Sequence, residues 1–176
     1  MELFESDKEI ITTLKKALDE IDPHWREYGG LIVPGSHEPY LVEEKIERIR
    51  NAREKGIPFL GICFGHQLAA IEYAKHVLEI LDATSEEFGE GVEGAIFVVK
   101  KRKDLNVGLK NGESFWNNYE VVLKDWKKSE HFITMQFHPE FQSSKDKPHY
   151  LLVKFLKMCK EFTKNHYLDK MANMYG

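Results

Sequence analysis

Short apolar runs alternate with longer amphipathic segments along the first half of the chain. Apolar residues recur at helical spacing over residues 10–21, behind Ser6 and Asp7, two residue types that cap helices. Residues 30–33 and 57–62 are apolar runs of the kind found in strands that are buried on both faces. The pattern predicts the order helix, strand, helix, strand, helix, with Glu38-Pro39 opening the second helix and the third spanning residues 66–80.

The second half of the chain has a different pattern. Strand-like stretches cover residues 94–100, 119–123 and 131–137, and an amphipathic helix is predicted over residues 150–162. Strands that alternate with helices favour a parallel sheet with helices on both faces, because right-handed crossovers place the helices there. The 176 residues are therefore predicted to form one α/β domain, a three-layer sandwich with a mostly parallel central sheet.

Composition narrows the class of protein. The chain is 42% hydrophobic and 31% charged, as in an ordinary globular domain, and its formal net charge is −4. Because charges of both signs are interleaved along the chain, no positive electrostatic field is expected that would attract phosphate backbones. This argues against nucleic acid as a partner. No apolar run reaches the roughly 18 residues that span a bilayer, and the charged start does not resemble a signal peptide, so a cytoplasmic location is expected.

A candidate nucleophile follows the second predicted strand. Gly61-Ile62-Cys63-Phe64-Gly65 ends a buried strand and opens a helix, which is the setting of a nucleophile elbow with cysteine in place of serine. The glycines allow a sharp turn, and the helix N-terminus offers N–H groups, among them that of Phe64, to an oxyanion. The alternative is a small buried hydrophobe, the interpretation we adopt for Cys159. Two cysteines cannot form a metal site alone, so no metal is expected.

A candidate base lies in Phe137-His138-Pro139-Glu140, directly after a strand-like stretch. The carboxyl ends of parallel strands meet at one edge of a sheet, so His138 is expected near Cys63. His138 and Glu140 are two residues apart and project to the same side of an extended segment, where the carboxylate can orient the imidazole. Without the elbow, a polar turn after a strand would be the preferred interpretation.

The two motifs, in this order and in an α/β chain of this length, resemble those of class I (triad) glutamine amidotransferases. Within that class the chain is most similar to the glutaminase domain of CTP synthase, on account of the segments 30–35, 57–74, 83–88 and 136–144. The resemblance implies a flavodoxin-like fold. It also implies that Cys63 attacks the side-chain amide of L-glutamine and forms a γ-glutamyl thioester. His138 then protonates the ammonia and activates water, and Glu140 orients His138.

The same resemblance assigns further residues. Gly35 and Phe64 would supply the oxyanion hole, and Gln67 and Glu87 would hold the amino-acid end of glutamine. A carboxylate such as that of Glu87 can pair with an α-ammonium group. Asn118 lies in the stretch that helps to hold the glutamine carboxylate in the family.

Several departures from the family bear on these expectations. A helix follows Met1 almost at once, so the sheet either lacks its first strand or the start is truncated. Ser36-His37-Glu38 replaces the glycine-rich sequence after Gly35, and Trp116-Asn117-Asn118 replaces an Arg-His-Arg sequence. A γ-glutamyl hydrolase or peptidase with the same triad therefore remains an alternative, as does a catalytically idle binding or regulatory relative.

The chain has no glycine-rich loop followed by Lys-Ser or Lys-Thr, the sequence that cradles nucleotide phosphates. We therefore expect no cofactor, and the synthetase half of a CTP synthase is missing from these residues. Ammonia released here would either pass to a separate synthetase or acceptor protein, or be lost to water by an acceptor-independent hydrolase.

Overall fold

Strands and helices alternate through the first half of the chain, and short strands dominate the second. The computed structural model describes residues 1–102, 109–110, 113–114 and 118–175. The first half comprises β1 (Glu2–Leu3), α1 (Lys8–Ile21), β2 (Leu31–Val33), α2 (Val42–Glu54), β3 (Phe59–Ile62) and α3 (Phe64–His76). The second half comprises β4 (Ala83–Ser85), α4 (Glu86–Gly89), β5 (Ile96–Lys101), β6 (Leu109–Lys110), β7 (Glu113–Ser114), β8 (Tyr119–Val121), β9 (Phe132–Met135) and α5 (Tyr150–Tyr175).

The central sheet consists of four parallel strands in the order β1-β2-β3-β9. This arrangement confirms the predicted α/β class with a parallel central sheet. Of the two alternatives for the start of the chain, a missing first strand is wrong, because Glu2 and Leu3 pair with Leu31 and Ile32. A two-residue strand at the sheet edge is too short to produce a recognisable apolar run, and the sequence pattern therefore gave no sign of it.

Two hydrophobic cores lie on the two faces of this sheet. Successive side chains of a strand point to opposite faces, so Leu31 and Val33 enter one core and Ile32 enters the other. The first core is shared with α2 and α3, and the second with α1 and α5. Phe155 of α5 is fully buried in the second core. Helices on both faces thus give the three layers, as predicted.

A second sheet extends the α2/α3 face and leads into the site region. Its order is β4-β5-β8, with β4 parallel and β8 antiparallel to β5. Ala83, Val98 and Val99 continue the core formed with α3. Since β4 runs directly into α4, this sheet fixes the position of Glu87. None of the helices in the described ranges combines the length and the hydropathy that crossing a bilayer requires.

Three helix boundaries differ from the sequence prediction. α2 begins at Val42 rather than near Pro39, because Leu41 adopts a left-handed conformation with φ 52° just before the helix. α3 begins at Phe64, directly behind Cys63, and ends at His76. α5 continues past the predicted end at residue 162 to Tyr175, over side chains that are mostly exposed. Periodic apolar positions identify only the part of a helix that packs against the core, so an exposed extension of the helix is not predicted from them.

A buried ion pair joins α2 to α3. Both carboxylate oxygens of Glu72 accept hydrogen bonds from the Arg53 Nε, at 3.0 and 3.1 Å, and Nη2 donates to one of them at 2.9 Å. Glu72 is only 1% exposed, and His76 Nδ1 lies 3.4 Å from its Oε1. Removing one member of such a pair leaves a buried charge without compensation.

Glu72→Gln is expected to lower the free energy of unfolding by about 2–3 kcal/mol, because Arg53 loses its buried charged partner and keeps only the half-exposed Glu54, 3.6 Å from its Nη2. Urea unfolding monitored by circular dichroism measures the change. Glu2→Gln is the matched control: Glu2 also accepts from Nε and Nη2 of an arginine, Arg48 at 2.8 and 2.7 Å, but both side chains are largely exposed, so less than about 0.5 kcal/mol should be lost. Equal losses in the two variants would contradict the prediction.

Candidate active site

Cys63 occupies a sharp turn between β3 and α3. Its backbone has φ 52° and ψ −101°, a conformation that side-chain-bearing residues rarely adopt and that costs roughly 1–3 kcal/mol. The Cys63 N–H donates to the Met135 carbonyl at 2.8 Å, which ties the turn to β9. A Cβ on Gly65 would lie 2.0 Å from the Val33 carbonyl oxygen, so only glycine lets α3 begin this close to β2. The strand–turn–helix conformation is therefore the one that the glycine spacing predicts.

His138 and Glu140 follow β9 at the same edge of the sheet. A 3₁₀ turn over Pro139–Gln142 brings the two side chains together, and His138 Nδ1 lies 2.7 Å from Glu140 Oε1. Both side chains are buried, and the second carboxylate oxygen of Glu140 has no partner within the described residues. Cys63 is the second polar neighbour of the imidazole, and its interaction with the ring raises the pKa of His138. The structure thus places the three predicted triad residues in one connected line.

The pKa of His138 reflects this line of contacts. Burial by itself lowers the pKa, but the hydrogen bonds and charges of Cys63 and Glu140 outweigh it and raise the pKa to about 10. The contacts with Cys63 and Glu140 therefore favour the protonated imidazole. A positively charged ring between two acceptors is the arrangement that stabilises an anionic nucleophile.

Gly35 borders the nucleophile and its base. A Cβ at this position would lie 2.4 Å from His138 Cε1 and 3.3 Å from Cys63 Cβ, so the loop backbone passes directly over both side chains. The loop is anchored by Ser6, whose hydroxyl donates to the Gly35 carbonyl. Phe64 follows Cys63 as the first residue of α3, where backbone N–H groups have no partner within the helix. Gly35 therefore packs against the Cys63 side chain, and Phe64 adjoins Cys63 in the chain.

A small cavity of about 80 Å³ opens beside the thiol. Four of the residues singled out by the sequence contribute to its lining: Cys63, His138, Glu87 and Asn118. The cavity is thus shared by the central sheet, through Cys63 and His138, and the second sheet, through Glu87 and Asn118. The structure brings these four residues together from segments far apart in the chain.

Glu87 reaches the cavity from the first turn of α4. The Ser85 hydroxyl caps this helix by accepting a hydrogen bond from the Glu87 N–H at 3.1 Å. Burial raises the pKa of the Glu87 carboxyl, because a charged carboxylate is costly away from water. A cation placed in the cavity would offset that cost.

Gln67 is placed differently from the other candidates. Its backbone N–H donates to the Cys63 carbonyl at 3.1 Å, one turn into α3, and its side chain is 1% exposed. The side-chain Oε1 has no hydrogen-bond partner among the described residues, and Gln67 is not part of the cavity lining. Of the replaced stretch 116–118, Asn118 is exposed at the cavity, whereas Trp116 and Asn117 lie outside the described residues.

Four lining residues were not predicted from the sequence: Ile10, Ser36, His37 and Tyr119. Ser36 and His37 follow Gly35 in the loop after β2, at the edge where the triad lies. Their position directly after Gly35 is the one feature of the sequence that could have predicted them as site residues. Ile10 comes from the first turns of α1, and its contact with the site depends on tertiary packing.

Two further basic residues lie close to the elbow, Lys45, which is buried, and His66, which is partly buried. The Lys45 ammonium lies 4.3 Å from the ring centre of Tyr40 and 5.3 Å from that of Phe64, and burial lowers the pKa of Lys45 to about 8. The His66 ring contacts Thr134 Oγ1 at 3.1 Å, and burial, with a smaller effect of the Lys128 charge, lowers the pKa of His66 to about 3. His66 is therefore neutral, which distinguishes it from His138 as a candidate acid.

Within the described ranges, no group of three or more histidine, cysteine, aspartate or glutamate side chains is arranged to hold a metal ion.

Comparison with known proteins identifies the family to which this site belongs. Residues 5–158 match the family model "Glutamine amidotransferase class-I". The chain belongs to the class I glutamine amidotransferases. This membership covers both motifs, the Cys63 elbow and the His138-Pro139-Glu140 sequence, and it confirms the resemblance found in the sequence.

Individual relatives of this amidotransferase chain are CTP synthases. It is 32% identical over 179 residues to a CTP synthase of Methanoculleus marisnigri, a match that covers 75% of this chain and 34% of the relative. It is 31% identical over 213 residues to a CTP synthase of Bdellovibrio bacteriovorus, with 89% and 39% covered. This amidotransferase chain therefore spans a little over a third of the length of these curated relatives.

A solved structure supports the fold of the amidotransferase chain. The glutaminase domain of Trypanosoma brucei CTP synthase, with bound acivicin, superimposes with a TM-score of 0.70 at 18% identity. The match covers 91% of this chain and 92% of the other. The likeness shows a shared architecture around the central sheet.

Proposed function

We propose that this chain hydrolyses L-glutamine to glutamate and ammonia, as the glutaminase part of a CTP-synthase-like amidotransferase. The observation that carries the proposal is the buried line from Cys63 through His138 to Glu140 at the mouth of a cavity, in a member of this family. A thiolate next to a protonated imidazole is suited to attack on an amide carbonyl, since the sulfur is in its nucleophilic form and the ring holds the proton that the leaving nitrogen needs.

The first half of the reaction releases ammonia. The Cys63 sulfur attacks the side-chain carbonyl carbon of glutamine, and the carbon–oxygen π electrons move onto the oxygen. The backbone N–H groups of Gly35 and Phe64 are proposed to stabilise that oxyanion. The C–N bond then breaks, the nitrogen takes a proton from His138, and a γ-glutamyl thioester is left on Cys63.

The second half of the reaction returns the enzyme to its starting state. Once the sulfur is acylated, it no longer bears the charge that raises the pKa of His138, and burial then acts against the protonated ring. His138 can therefore accept a proton from water as that water attacks the thioester. Glutamate leaves, the thiolate is restored, and Glu140 keeps the imidazole oriented throughout.

The test is glutamate release together with covalent labelling by diazo-oxo-norleucine, an alkylating analogue of glutamine. Cys159 serves as an internal control, because it is fully buried in the second core and burial raises the pKa of its thiol to about 12. We expect the label on Cys63 alone, located by mass spectrometry of peptides, and labelling slowed by added glutamine. An absence of both turnover and label on Cys63 would contradict the proposed function.

The alternatives give different results in the same assay. A γ-glutamyl hydrolase or peptidase would cleave γ-linked amides of larger amines faster than glutamine, so a panel of γ-glutamyl compounds separates it from a glutaminase. A catalytically idle relative would turn over none of them.

We further propose that the ammonia passes to a synthetase. The curated relatives are nearly three times as long as the matched region and are CTP synthases, whereas this chain has no phosphate-binding loop in its sequence. An ATP-dependent synthetase recovered with the chain in a pull-down would support the transfer. Fast glutamine turnover by the isolated chain, with no such partner recovered, would contradict it.

A further inference from the structure

Two imidazole–carboxylate pairs border the same cavity. One is the buried pair of His138 and Glu140 described above. The other joins His37 to Asp7, with His37 Nδ1 3.2 Å from Asp7 Oδ2. Both histidines line the cavity, and within the described part of the chain they are its two basic side chains. The second pair has no part in the proposed reaction steps.

The Asp7 side chain interacts with His37 and does not cap the helix that follows it. It precedes α1 at the position of a capping residue, but its side chain makes no capping hydrogen bond. Instead, Asp7 Oδ2 also accepts the backbone N–H of His37 at 3.0 Å. Although burial raises the pKa of Asp7, the hydrogen bonds and charge of His37 outweigh that effect and hold it below its usual range. The carboxylate therefore fixes both the loop and the ring.

The charges around the cavity suit an α-amino acid. Glu87 offers a carboxylate to an ammonium group, and His138 is occupied by Cys63 and Glu140. The hydroxyl of Ser36 is used within the loop, where it donates to the Glu38 carbonyl at 2.8 Å. His37 is the remaining basic side chain of the described lining. Its Nδ1 faces the Asp7 carboxylate, and in the imidazolium form, which carries a proton on both ring nitrogens, its Nε2 donates to a second carboxylate.

We propose that His37, held by Asp7, binds the α-carboxylate of the substrate while Glu87 binds the α-ammonium group. This inference rests on the proposed function. It extends that function by naming His37 as the residue that selects substrates with a free α-carboxylate. Such a pair of contacts orients the zwitterionic end and places the side-chain amide at Cys63. His37 acts in binding, not in proton transfer at the amide.

The experiment compares two substrates in four proteins. The substrates are L-glutamine and L-glutaminamide, which has an α-carboxamide and lacks the α-carboxylate. The proteins are wild type, His37→Gln, Asp7→Asn and the control His24→Gln. His24 also pairs with a carboxylate, Glu27 Oε1 at 3.1 Å, and its side chain is as exposed as that of His37, but it does not line the cavity.

With glutamine, His37→Gln is expected to raise KM roughly 10- to 100-fold and to change kcat less than about threefold, since a charged hydrogen bond is lost from binding. Asp7→Asn should raise KM by a smaller factor, because His37 stays but is less firmly held. With glutaminamide, His37→Gln and wild type should have the same kcat/KM. His24→Gln should match wild type with both substrates.

Each contrary outcome has a separate meaning. Unchanged KM for glutamine in His37→Gln, with normal turnover by wild type, overturns the role of His37 and leaves the proposed function standing. An equal loss of kcat/KM with both substrates shows that His37 supports the loop and also overturns the inference. If wild type neither releases glutamate nor is labelled at Cys63, the proposed function fails, and the inference fails with it.

Discussion

Replacement of Cys63 by alanine is expected to lower the rate of glutamate release at least roughly a thousandfold. The variant keeps the oxyanion donors and the cavity but has no atom that can form the thioester. Alanine can follow the same backbone path, so the free energy of unfolding should change by less than about 1 kcal/mol. Glutamate release and urea unfolding, measured on the same preparation, test the two parts.

Cys159→Ala is the matched control for this experiment, because it removes the chain's other thiol. Cys159 is fully buried against α1 and the central sheet, so its loss should cost about 1–2 kcal/mol of stability through the cavity left behind. Activity at a temperature where the variant is folded should stay within about twofold of wild type. Residual activity above about one per cent in Cys63→Ala would exclude Cys63 as the nucleophile.

Gly65→Ala is expected to destabilise the protein by about 4 kcal/mol or more, enough to leave much of the chain unfolded. The added Cβ would lie 2.0 Å from the Val33 carbonyl oxygen and 2.9 Å from its carbon, and both atoms belong to the backbone of a central strand. Relief requires α3 to move away from β2, which opens the first core. Urea unfolding measures the loss, and expression in soluble form gives an earlier indication.

Gly56→Ala is the control for replacing a glycine by alanine where the added Cβ makes no close contact. A Cβ at Gly56 meets nothing within 4 Å, but the residue has φ 65°, so alanine there should cost about 1 kcal/mol from backbone conformation alone. A loss in Gly65→Ala no larger than in Gly56→Ala would mean that α3 does not approach β2 as closely as described.

The sequence predicted the parts of the fold whose signals are local. β2 and β3 are apolar throughout because both faces of each strand are covered, and the glycines around Cys63 are required by the turn and by the contact with Val33. His138 and Glu140 could be paired because they are two residues apart. Their expected position near Cys63 follows from the rule that brings the carboxyl ends of parallel strands to one edge of the sheet.

Features that depend on distant partners could not be predicted in this way. β1 consists of two residues whose pairing is with β2, and the start of α2 is displaced by the conformation of Leu41. His37 is held by Asp7, thirty residues earlier in the chain, and the local sequence indicates only a helix cap for Asp7 and no partner for His37. Gln67, to which the family resemblance assigns a substrate-binding role, has a buried side chain that is not part of the described cavity lining, and its role stays a prediction.

The nucleophile, its base and the Gly35 loop stand at the ends of three neighbouring strands, β3, β9 and β2. A shift of β9 by one residue along β3 would move His138 by about 3.3 Å and turn each side chain of the strand to the other face. A compact state with that shift would keep its circular dichroism and lose its catalytic geometry. Enzymatic turnover in this protein is therefore a reporter of correct strand registration, one that spectroscopic measures of secondary structure cannot replace.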